Sequence, residues 1–253
     1  MKITSIIGSY RQKSNYEIIK IFENAISNFE EIESKVILLK DINLQFCRGC
    51  GLCVEDENLC PNKDDFVVLK KELIESDVLI LSSPVYAYRE SGLMKNFIDR
   101  FHYLHFRPQL FNKFALVAAT AAKSGLYEVL RYLDFTVRGW GCESIGKLGV
   151  PMINYNSDPC YKKDIEKKMQ DFAEIISNKA NRKSNRTVGL LDLLIFNEQK
   201  NLISGYKKKY PKAYDFWKNK GWLDSKYYLD LQIGNKIYEL AKNKSLDFSK
   251  NTE

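Results

Sequence analysis

Short apolar runs alternate with amphipathic helical stretches five times across the first 180 residues. The run DVLIL at 77–81 is almost entirely apolar, as expected of a central parallel strand that is buried on both faces. The stretch 126–140 instead carries its apolar residues at helical spacing. Because a parallel strand needs a crossover before the next one, this alternation predicts an α/β fold with a doubly wound, five-stranded parallel sheet.

The pattern also predicts where each element lies. The predicted strands cover Lys2–Ile7, Ser34–Leu39, Asp77–Leu81, Phe114–Ala119 and Ser144–Val150. The predicted helices cover Asn15–Phe29, 65–76, Ser91–Phe101, Leu126–Trp140 and Lys162–Lys179, with Ser14 and Glu17 as a capping box for the first. Sheets of this type bind ligands at the carboxyl ends of their strands, so the loops after the first, third and fourth predicted strands are the candidate site.

The charge distribution divides the chain. The net charge is +7, yet residues 1–179 carry 24 basic and 24 acidic side chains, whereas 180–253 carry 15 and 8, which is 15 − 8 = +7. This break predicts a polar linker near Asn178–Asn185 between a domain at 1–180 and an extension at 187–253. The chain is long enough for one large core and an appendage.

The extension combines lysines with aromatic residues, which is a pattern of some nucleic-acid-binding proteins. Val188–Ile203 and the segment with Tyr214 and Trp217 nevertheless have apolar residues at helical spacing. We therefore expect packing helices, with lysines on their solvated faces, and no nucleic-acid partner. The sequence has no apolar run of eighteen residues and no signal-peptide core, so we expect no membrane span and a cytoplasmic location.

Four cysteines lie within fourteen residues, in the segment 47–60. They are Cys47, Cys50, Cys53 and Cys60, spaced C-x2-C-x2-C-x6-C. This spacing favours a [4Fe-4S] cluster, which takes one thiolate at each iron, and such a cluster would make the protein an electron carrier. Structural zinc and free or redox-active thiols remain alternatives, while a disulfide framework would require a secreted chain. Cys142 and Cys160 are expected to be small buried hydrophobic residues.

The loop after the first strand has the composition of an anion site. Gly8 permits a tight turn, Ser9, Ser14 and Asn15 supply polar side chains, and the next helix supplies free N–H groups. Neither G-x-G-x-x-G nor G-x4-G-K-[ST] is present, so a single phosphate, such as that of FMN, fits better than a dinucleotide or a triphosphate. An ordinary strand–helix turn is the alternative.

The loops after the third and fourth strands suit a flat heterocycle. Backbone groups of Val85–Ala87 could bond its edge, and Tyr86 or Tyr88 could cover its face, although tyrosines in such positions also serve interfaces. The segment Thr120–Gly125 is small and polar, so a planar ring could approach its backbone closely.

Three motifs together resemble one known family. GSYRQKSN at 8–15 resembles the phosphate loop of the NADPH-dependent FMN reductases, and SPVYAYRESGLMKNFIDR at 83–100 resembles their flavin-ring loop and following helix. CRGCGLCVEDENLC at 47–60 is similar to the cysteine motif of the iron–sulfur flavoproteins, a branch of that family. The resemblance covers about residues 1–180 and implies a flavodoxin-like fold with strand order 2-1-3-4-5.

The resemblance also implies cofactors and their residues. FMN would be bound at its phosphate by Ser9, Arg11, Ser14 and Asn15, and at its ring by Pro84, Val85, Tyr86 and Ala87, with Thr120 and Ala121 in the third loop. The four cysteines of 47–60 would hold the [4Fe-4S] cluster. Tyr16 stands where the family often has Thr, so one hydroxyl contact to the phosphate is expected to be lost, and Ala121-Ala122 stands where paired glycines are frequent.

The implied activity is that of an FMN-dependent oxidoreductase. It would pass electrons between NAD(P)H or a reduced protein carrier, FMN and the cluster, and it needs no acid–base side chain because the flavin supplies the chemistry. The alternative is a non-catalytic flavin electron carrier or redox sensor whose cysteines bind zinc or stay free. The resemblance further implies a homodimer or homotetramer.

Overall fold

The computed structural model describes residues 1–181 and 186–225. The predicted linker near 178–185 therefore lies partly outside the described residues, and so does the end of the predicted extension, 226–253. Within the described ranges, no helix combines the length and the apolar character that a membrane crossing requires.

A parallel sheet forms the centre of the first part of the chain. Its strands are β1 Lys2–Ile7, β2 Glu33–Leu38, β3 Val78–Tyr86, β4 Arg89–Glu90, β5 Phe114–Ala121 and β6 Glu143–Pro151. The order is β2-β1-β3-β5-β6, all in parallel, and the two-residue β4 pairs with β3 in the antiparallel sense. The sheet differs from the prediction by this extra strand, and the flavodoxin-like, doubly wound fold is confirmed.

Helices follow most of the strands. They are α1 Ser14–Ile26, α2 Leu52–Glu55, α3 Phe66–Glu75, α4 Gly92–Arg100, α5 Tyr103–Phe106, α6 Leu126–Gly139, α7 Met152–Ser157, α8 Pro159–Asn181, α9 Leu190–Gly205 and α10 Pro211–Asn219. The short helices α2, α5 and α7 were not predicted, because a helix of one or two turns leaves too little periodicity to detect.

The sheet is buried on both faces. Successive strand residues point to opposite sides, so Ile6 packs with α3, α4 and α6, whereas Ile7 packs with α1 and α8. The same alternation divides β3, where Leu79 and Leu81 join the first layer and Ile80 joins the second. Two apolar layers therefore fix the strands and leave their carboxyl ends to carry the site.

The chain divides into two compact units, Met1–Lys183 and Ser184–Glu253. In the second unit the described part contains α9 and α10. Phe196 and Trp217 have ring centroids 5.1 Å apart, and Trp217 and Trp222 have centroids 5.2 Å apart. The expected helical C-terminal extension is confirmed for its described part, and tilted and edge-to-face aromatic contacts hold α9 and α10 together.

Gly141 gives a test of the fold. It follows α6 in a Schellman motif, in which the Gly141 N–H donates to Arg138 O at 2.9 Å and the Cys142 N–H donates to Val137 O at 2.9 Å. Its φ of +104° is unfavourable for other residues, and an added Cβ would lie 2.9 Å from the Phe111 ring. We expect Gly141→Ala to lower the free energy of unfolding by about 2–4 kcal/mol in chemical denaturation.

Gly92→Ala is the matched control for this change. Gly92 begins α4 without a positive φ, and a Cβ there would meet no atom within 4 Å. Its unfolding free energy should be unchanged or slightly raised, because alanine favours helix. Equal stability of the two variants would contradict the role assigned to Gly141.

Candidate functional site

Three loops meet at the carboxyl edge of the sheet. The first follows β1, the second follows β3 and the third follows β5. The Gly8 N–H, directly after β1, donates to Ser82 O of β3 at 2.9 Å. A Cβ on Gly8 would lie 2.7 Å from Met94 Cβ and 2.8 Å from Ser91 Oγ, so only glycine lets the first loop pack against the start of α4. This edge, near the crossover point of the strand order, is where doubly wound sheets bind ligands.

The first loop exposes cations beside a helix N-terminus. Ser9 is 4% exposed, and its Oγ accepts from the Arg11 N–H at 3.1 Å, which fixes the turn. Arg11 and Lys13 are exposed. In the described chain no side chain caps α1, which begins at Ser14 after Lys13, so the predicted Ser14–Glu17 capping box is wrong. The first N–H groups of α1 therefore remain for another acceptor, and an anion suits them.

Asn15 has a structural contact in addition to its predicted one. Its side chain is buried, and its Oδ1 accepts from Ser82 Oγ at 2.9 Å. This bond joins the start of α1 to β3. A phosphate contact of Asn15 stays a prediction, as it does for Ser9, Arg11 and Ser14.

The second loop is a tight hairpin rather than an open loop. β3 continues five residues beyond the predicted end at Leu81, because its residues up to Pro84 pair with β5. Val85 then pairs with Glu90, and the turn residues Ala87 and Tyr88 both have positive φ, 49° and 64°. Two such residues mark a type I′ turn, and each costs roughly 1–2 kcal/mol in a residue other than glycine.

Pro84, Val85 and Tyr86 thus lie in the strand, and Ala87 lies in the turn. Tyr86 and Tyr88 are 51% and 66% exposed. The structure brings them to the same edge as the first loop, where aromatic faces and backbone groups are accessible to a ligand.

A serine pair, which the sequence analysis missed, connects the first two loops. The Ser91 N–H donates to Ser83 Oγ at 3.0 Å, and the Met94 N–H donates to Ser91 Oγ at 3.1 Å. The Ser91 hydroxyl in turn donates to Gly8 O. A serine directly before an apolar helix is an N-cap signal, and it could have identified Ser91.

The third loop begins later than expected. Thr120 and Ala121 are buried residues at the end of β5, paired with Val150 and Pro151. Gly125, with φ of +86°, brings the loop against the hairpin, since a Cβ there would lie 2.7 Å from Val85 Cγ1. The three loops therefore form one surface.

The cysteine segment 47–60 lies between β2 and α3. Cys47 and Cys50 are exposed, and Cys53 and Cys60 are partly buried. Burial raises the pKa of the Cys53 thiol to about 11, and the neighbouring Cys47, Cys60 and Cys50 add to this by charge repulsion. Four cysteine thiols form a donor set that suits a soft metal or an iron–sulfur cluster.

Across the described ranges, no three Cys, His, Asp or Glu side chains are already arranged as a metal-binding group. Thiolates repel one another, so their close approach requires the positive charge of a metal centre. The four cysteines as ligands therefore stay a prediction that the donor chemistry supports.

The two cysteines outside this segment differ from each other. Cys142 is buried, as expected. Cys160 is exposed, so the expectation that it is a buried hydrophobic residue is wrong. It lies in the first turn of α8, where its N–H donates to Asp158 Oδ1 at 2.8 Å.

Two polar residues of α4 hold the cysteine segment. Asn96 Oδ1 accepts from the Cys47 N–H at 3.1 Å, and its Nδ2 donates to Leu44 O at 3.0 Å. Arg100 donates to Gln45 O at 2.8 Å. Both residues were missed, although polar side chains four positions apart on an apolar helix face are a signal for buried hydrogen bonds.

A buried ion pair completes this support. Arg100 contacts Asp64, and the two side chains are only 2% and 0% exposed. Burial alone would raise the pKa of Asp64, but hydrogen bonds from Arg100 and from the Gln45 N–H outweigh it and lower that pKa. Nearby, Arg107 donates to Cys53 O at 2.9 Å and to Glu57 at 2.6 Å.

Sequence comparison identifies proteins that are similar to this chain. The sequence profile of the NADPH-dependent FMN reductase family matches residues 1–154. An iron–sulfur flavoprotein of Archaeoglobus fulgidus is 30% identical over 229 residues, which cover 88% of this chain and all of that protein. An iron–sulfur flavoprotein of Methanocaldococcus jannaschii is 39% identical over 127 residues, 49% of this chain and 65% of that protein.

Solved structures agree with the fold. A flavone reductase superposes with a TM-score of 0.55 at 16% identity, covering 75% of this chain and 66% of its own. An oxidoreductase from Corynebacterium diphtheriae has a TM-score of 0.54 at 17% identity, covering 73% and 99%.

The family profile spans more than half of the chain, and the Archaeoglobus relative matches over its full length. The chain therefore belongs to the NADPH-dependent FMN reductase family, in its iron–sulfur flavoprotein branch, and is an FMN reductase-like oxidoreductase.

Proposed function

We propose that the chain passes electrons between NAD(P)H or a reduced protein carrier, FMN and a [4Fe-4S] cluster. The observation that carries the proposal is the position of α4. Ser91, at its start, bonds the first loop, and Asn96 and Arg100, near its end, bond Cys47 and Cys60 of the cysteine segment. A helix of nine residues is about 14 Å long, so one rigid element connects the two candidate cofactor sites.

The first loop would hold the FMN phosphate. Ser9, Arg11, Ser14 and Asn15 surround the N-terminus of α1, and the exposed guanidinium of Arg11 would offset the phosphate charge. Lys13 adds a second exposed cation.

The hairpin and the third loop would hold the flavin ring. Pro84, Val85, Tyr86 and Ala87 offer backbone groups in a turn whose geometry is fixed by strand pairing. Thr120 and Ala121 close the neighbouring strand end, and Gly125 keeps the third loop in contact with the hairpin.

The segment 47–60 would hold the cluster through its four thiols. Support comes from the C-x2-C-x2-C-x6-C spacing of four soft donors and from the similar archaeal proteins, which are iron–sulfur flavoproteins. FMN exchanges electrons singly or in pairs, whereas a cluster exchanges one at a time, so together they would interconvert the two kinds of transfer. The protein's own residues would bind and orient the cofactors and transfer no proton.

We further propose that the chain forms a homodimer or homotetramer. Tyr10, Tyr86 and Tyr88 are 69%, 51% and 66% exposed around the candidate flavin loops. Exposed aromatic side chains grouped in this way favour an interface or a bound ligand.

The phosphate contact can be separated from the ring contact. Replacing Arg11 by Gln removes a charge-assisted hydrogen bond of about 1.5–3 kcal/mol, so FMN affinity should fall roughly tenfold to hundredfold in fluorescence titration. Riboflavin lacks the phosphate, so its affinity should not change. An equal loss for both ligands would show that Arg11 acts on the fold of the loop instead.

The metal centre can be identified by composition. Anaerobically purified protein should contain about four iron and four sulfide ions per chain. Cys50→Ala should abolish the iron while FMN stays bound, because the flavin loops lie on separate strands. Cys160→Ala, at an exposed cysteine outside 47–60, is the matched control and should retain both cofactors. Zinc without iron in the unaltered protein would refute the cluster.

The electron donor can be tested by anaerobic mixing with NADPH. The flavin absorbance of the loaded protein should bleach, in Cys50→Ala as in the unaltered chain, because hydride transfer requires the flavin site alone. If a reduced protein carrier bleaches the flavin and NADPH does not, the nicotinamide donor is excluded.

A further inference from the structure

Arg100 lies between a carboxylate and a cysteine sulfur. It is 4% exposed, and its Nη2 donates to Asp64 Oδ1 at 3.0 Å and to Cys60 Sγ at 3.8 Å. Its Nη1 contacts Asp64 Oδ2 and donates to Gln45 O at 2.8 Å. Both terminal nitrogens of the guanidinium, Nη1 and Nη2, are therefore held in place.

The ion pair determines where the remaining donor points. The guanidinium is planar and rigid, so a bidentate contact to Asp64 fixes the directions of its other N–H groups. Asp64 is itself held by the Gln45 N–H at 2.8 Å and the Phe66 N–H at 3.2 Å. A group so constrained loses little freedom when it donates to Cys60, which makes this contact geometrically specific.

Two other side chains contact the backbone of cysteines in the segment, and one of them also pairs with the Glu57 carboxylate. Asn96 bonds the Cys47 N–H, and Arg107 bonds Cys53 O. Arg100 differs because its contact is with the sulfur atom. A backbone contact fixes the path of the chain, whereas a hydrogen bond to a ligating sulfur also changes the energy of an electron on the cluster.

We propose that Arg100 is a positioning residue that donates to the Cys60 thiolate and raises the reduction potential of the cluster. The inference rests on the proposed function, because it presupposes that Cys60 is a ligand. Reduction adds one electron and no proton, so the thiolate ligands become more negative. A fixed N–H donor stabilises that reduced state more than the oxidised one.

Asp64 acts in the opposite direction. Its carboxylate pairs with the guanidinium and offsets the positive charge that the sulfur experiences. Removing the Arg100 donor should lower the potential, and neutralising Asp64 should raise it. Two opposite shifts from the two members of one ion pair distinguish tuning from a loss of support, since a loss of support would impair cluster retention in both variants.

The experiment is an anaerobic redox titration of the FMN-loaded, cluster-containing protein, followed by the electron paramagnetic resonance signal of the reduced cluster. Arg100→Lys keeps the positive charge but loses the planar group with two donor nitrogens. The equilibrium between the oxidised and the reduced cluster should shift about tenfold toward the oxidised form. This shift lowers the reduction potential by about 59 mV. Asp64→Asn should shift the equilibrium toward the reduced cluster. Arg138→Lys, at the ion pair with Asp134 on α6, is the matched control and should show no shift.

Iron, sulfide and FMN contents are measured on every sample. If the unaltered protein contains no cluster, the proposed function fails and the inference fails with it. If the cluster is present and neither variant moves its potential, the inference alone is overturned. If Arg100→Lys loses the cluster, the Asp64→Asn variant decides the question. A rise in its cluster reduction potential supports the proposal, and the absence of a rise overturns it. Loss of the cluster in both variants would identify the ion pair as a structural brace and refute tuning.

Discussion

The hydrogen bonds at the two ends of α4 are the constraint on which both candidate sites depend. At its start, Ser91 caps the helix and holds the first loop through Gly8 O, which determines where the turn after β1 lies. Near its end, Asn96 and Arg100 bond backbone carbonyls just before the cysteine segment and also contact Cys47 and Cys60 within it. Because a hydrogen-bonded helix is stiff, neither end can shift without moving the other. The candidate flavin loops and the cysteine segment are therefore connected by one stiff helix, α4. This connection supports the proposed electron transfer between the two sites.

The hairpin after β3 contributes to this assembly through strain. Ala87 and Tyr88 occupy the left-handed region at a cost of roughly 1–2 kcal/mol each. The pairs Val85–Glu90 and Tyr86–Arg89 offset that cost, and Gly125 allows the third loop to pack against the turn. Strained non-glycine residues persist only where the surroundings over-determine them, and they concentrate at functional sites. Here the strand pairing that offsets the strain keeps the backbone groups of Pro84–Ala87 at the sheet edge, which is where the resemblance to FMN reductases predicted a flavin ring.

The sequence predicted the order of elements well because apolar periodicity reports burial directly. The boundaries of β1 were correct to the residue, and Asp77–Leu81 was recognised as a central strand. The extent of that strand was not, because Ser82 and Ser83 are polar, and their inclusion depends on pairing with Ala118 and Ala119, which no local pattern reveals. For the same reason, the contact of Asn15 with Ser82 and the contact of Arg100 with Asp64 could not be predicted, since they join residues far apart in sequence. The motifs identified which residues could bind cofactors, whereas the residues that position them emerged only from the fold.

The two candidate sites differ in how far the chain alone completes them. The flavin loops are fixed by contacts that the polypeptide makes with itself, from Gly8 to Ser82 and from Gly125 to Val85. The cysteine segment is held by α4 and Arg107. Its cysteines disfavour ionisation of Cys53, because burial and three neighbouring sulfurs raise the pKa of that thiol to about 11. For Cys53 to act as the proposed metal ligand, its thiol would have to release a proton to solvent. Under the proposed function, metal binding in 47–60 would be coupled to proton release, and its free energy would stabilise the fold around it. The candidate flavin loops are thus fixed by the polypeptide itself, whereas completion of the proposed cluster site would depend on the metal centre.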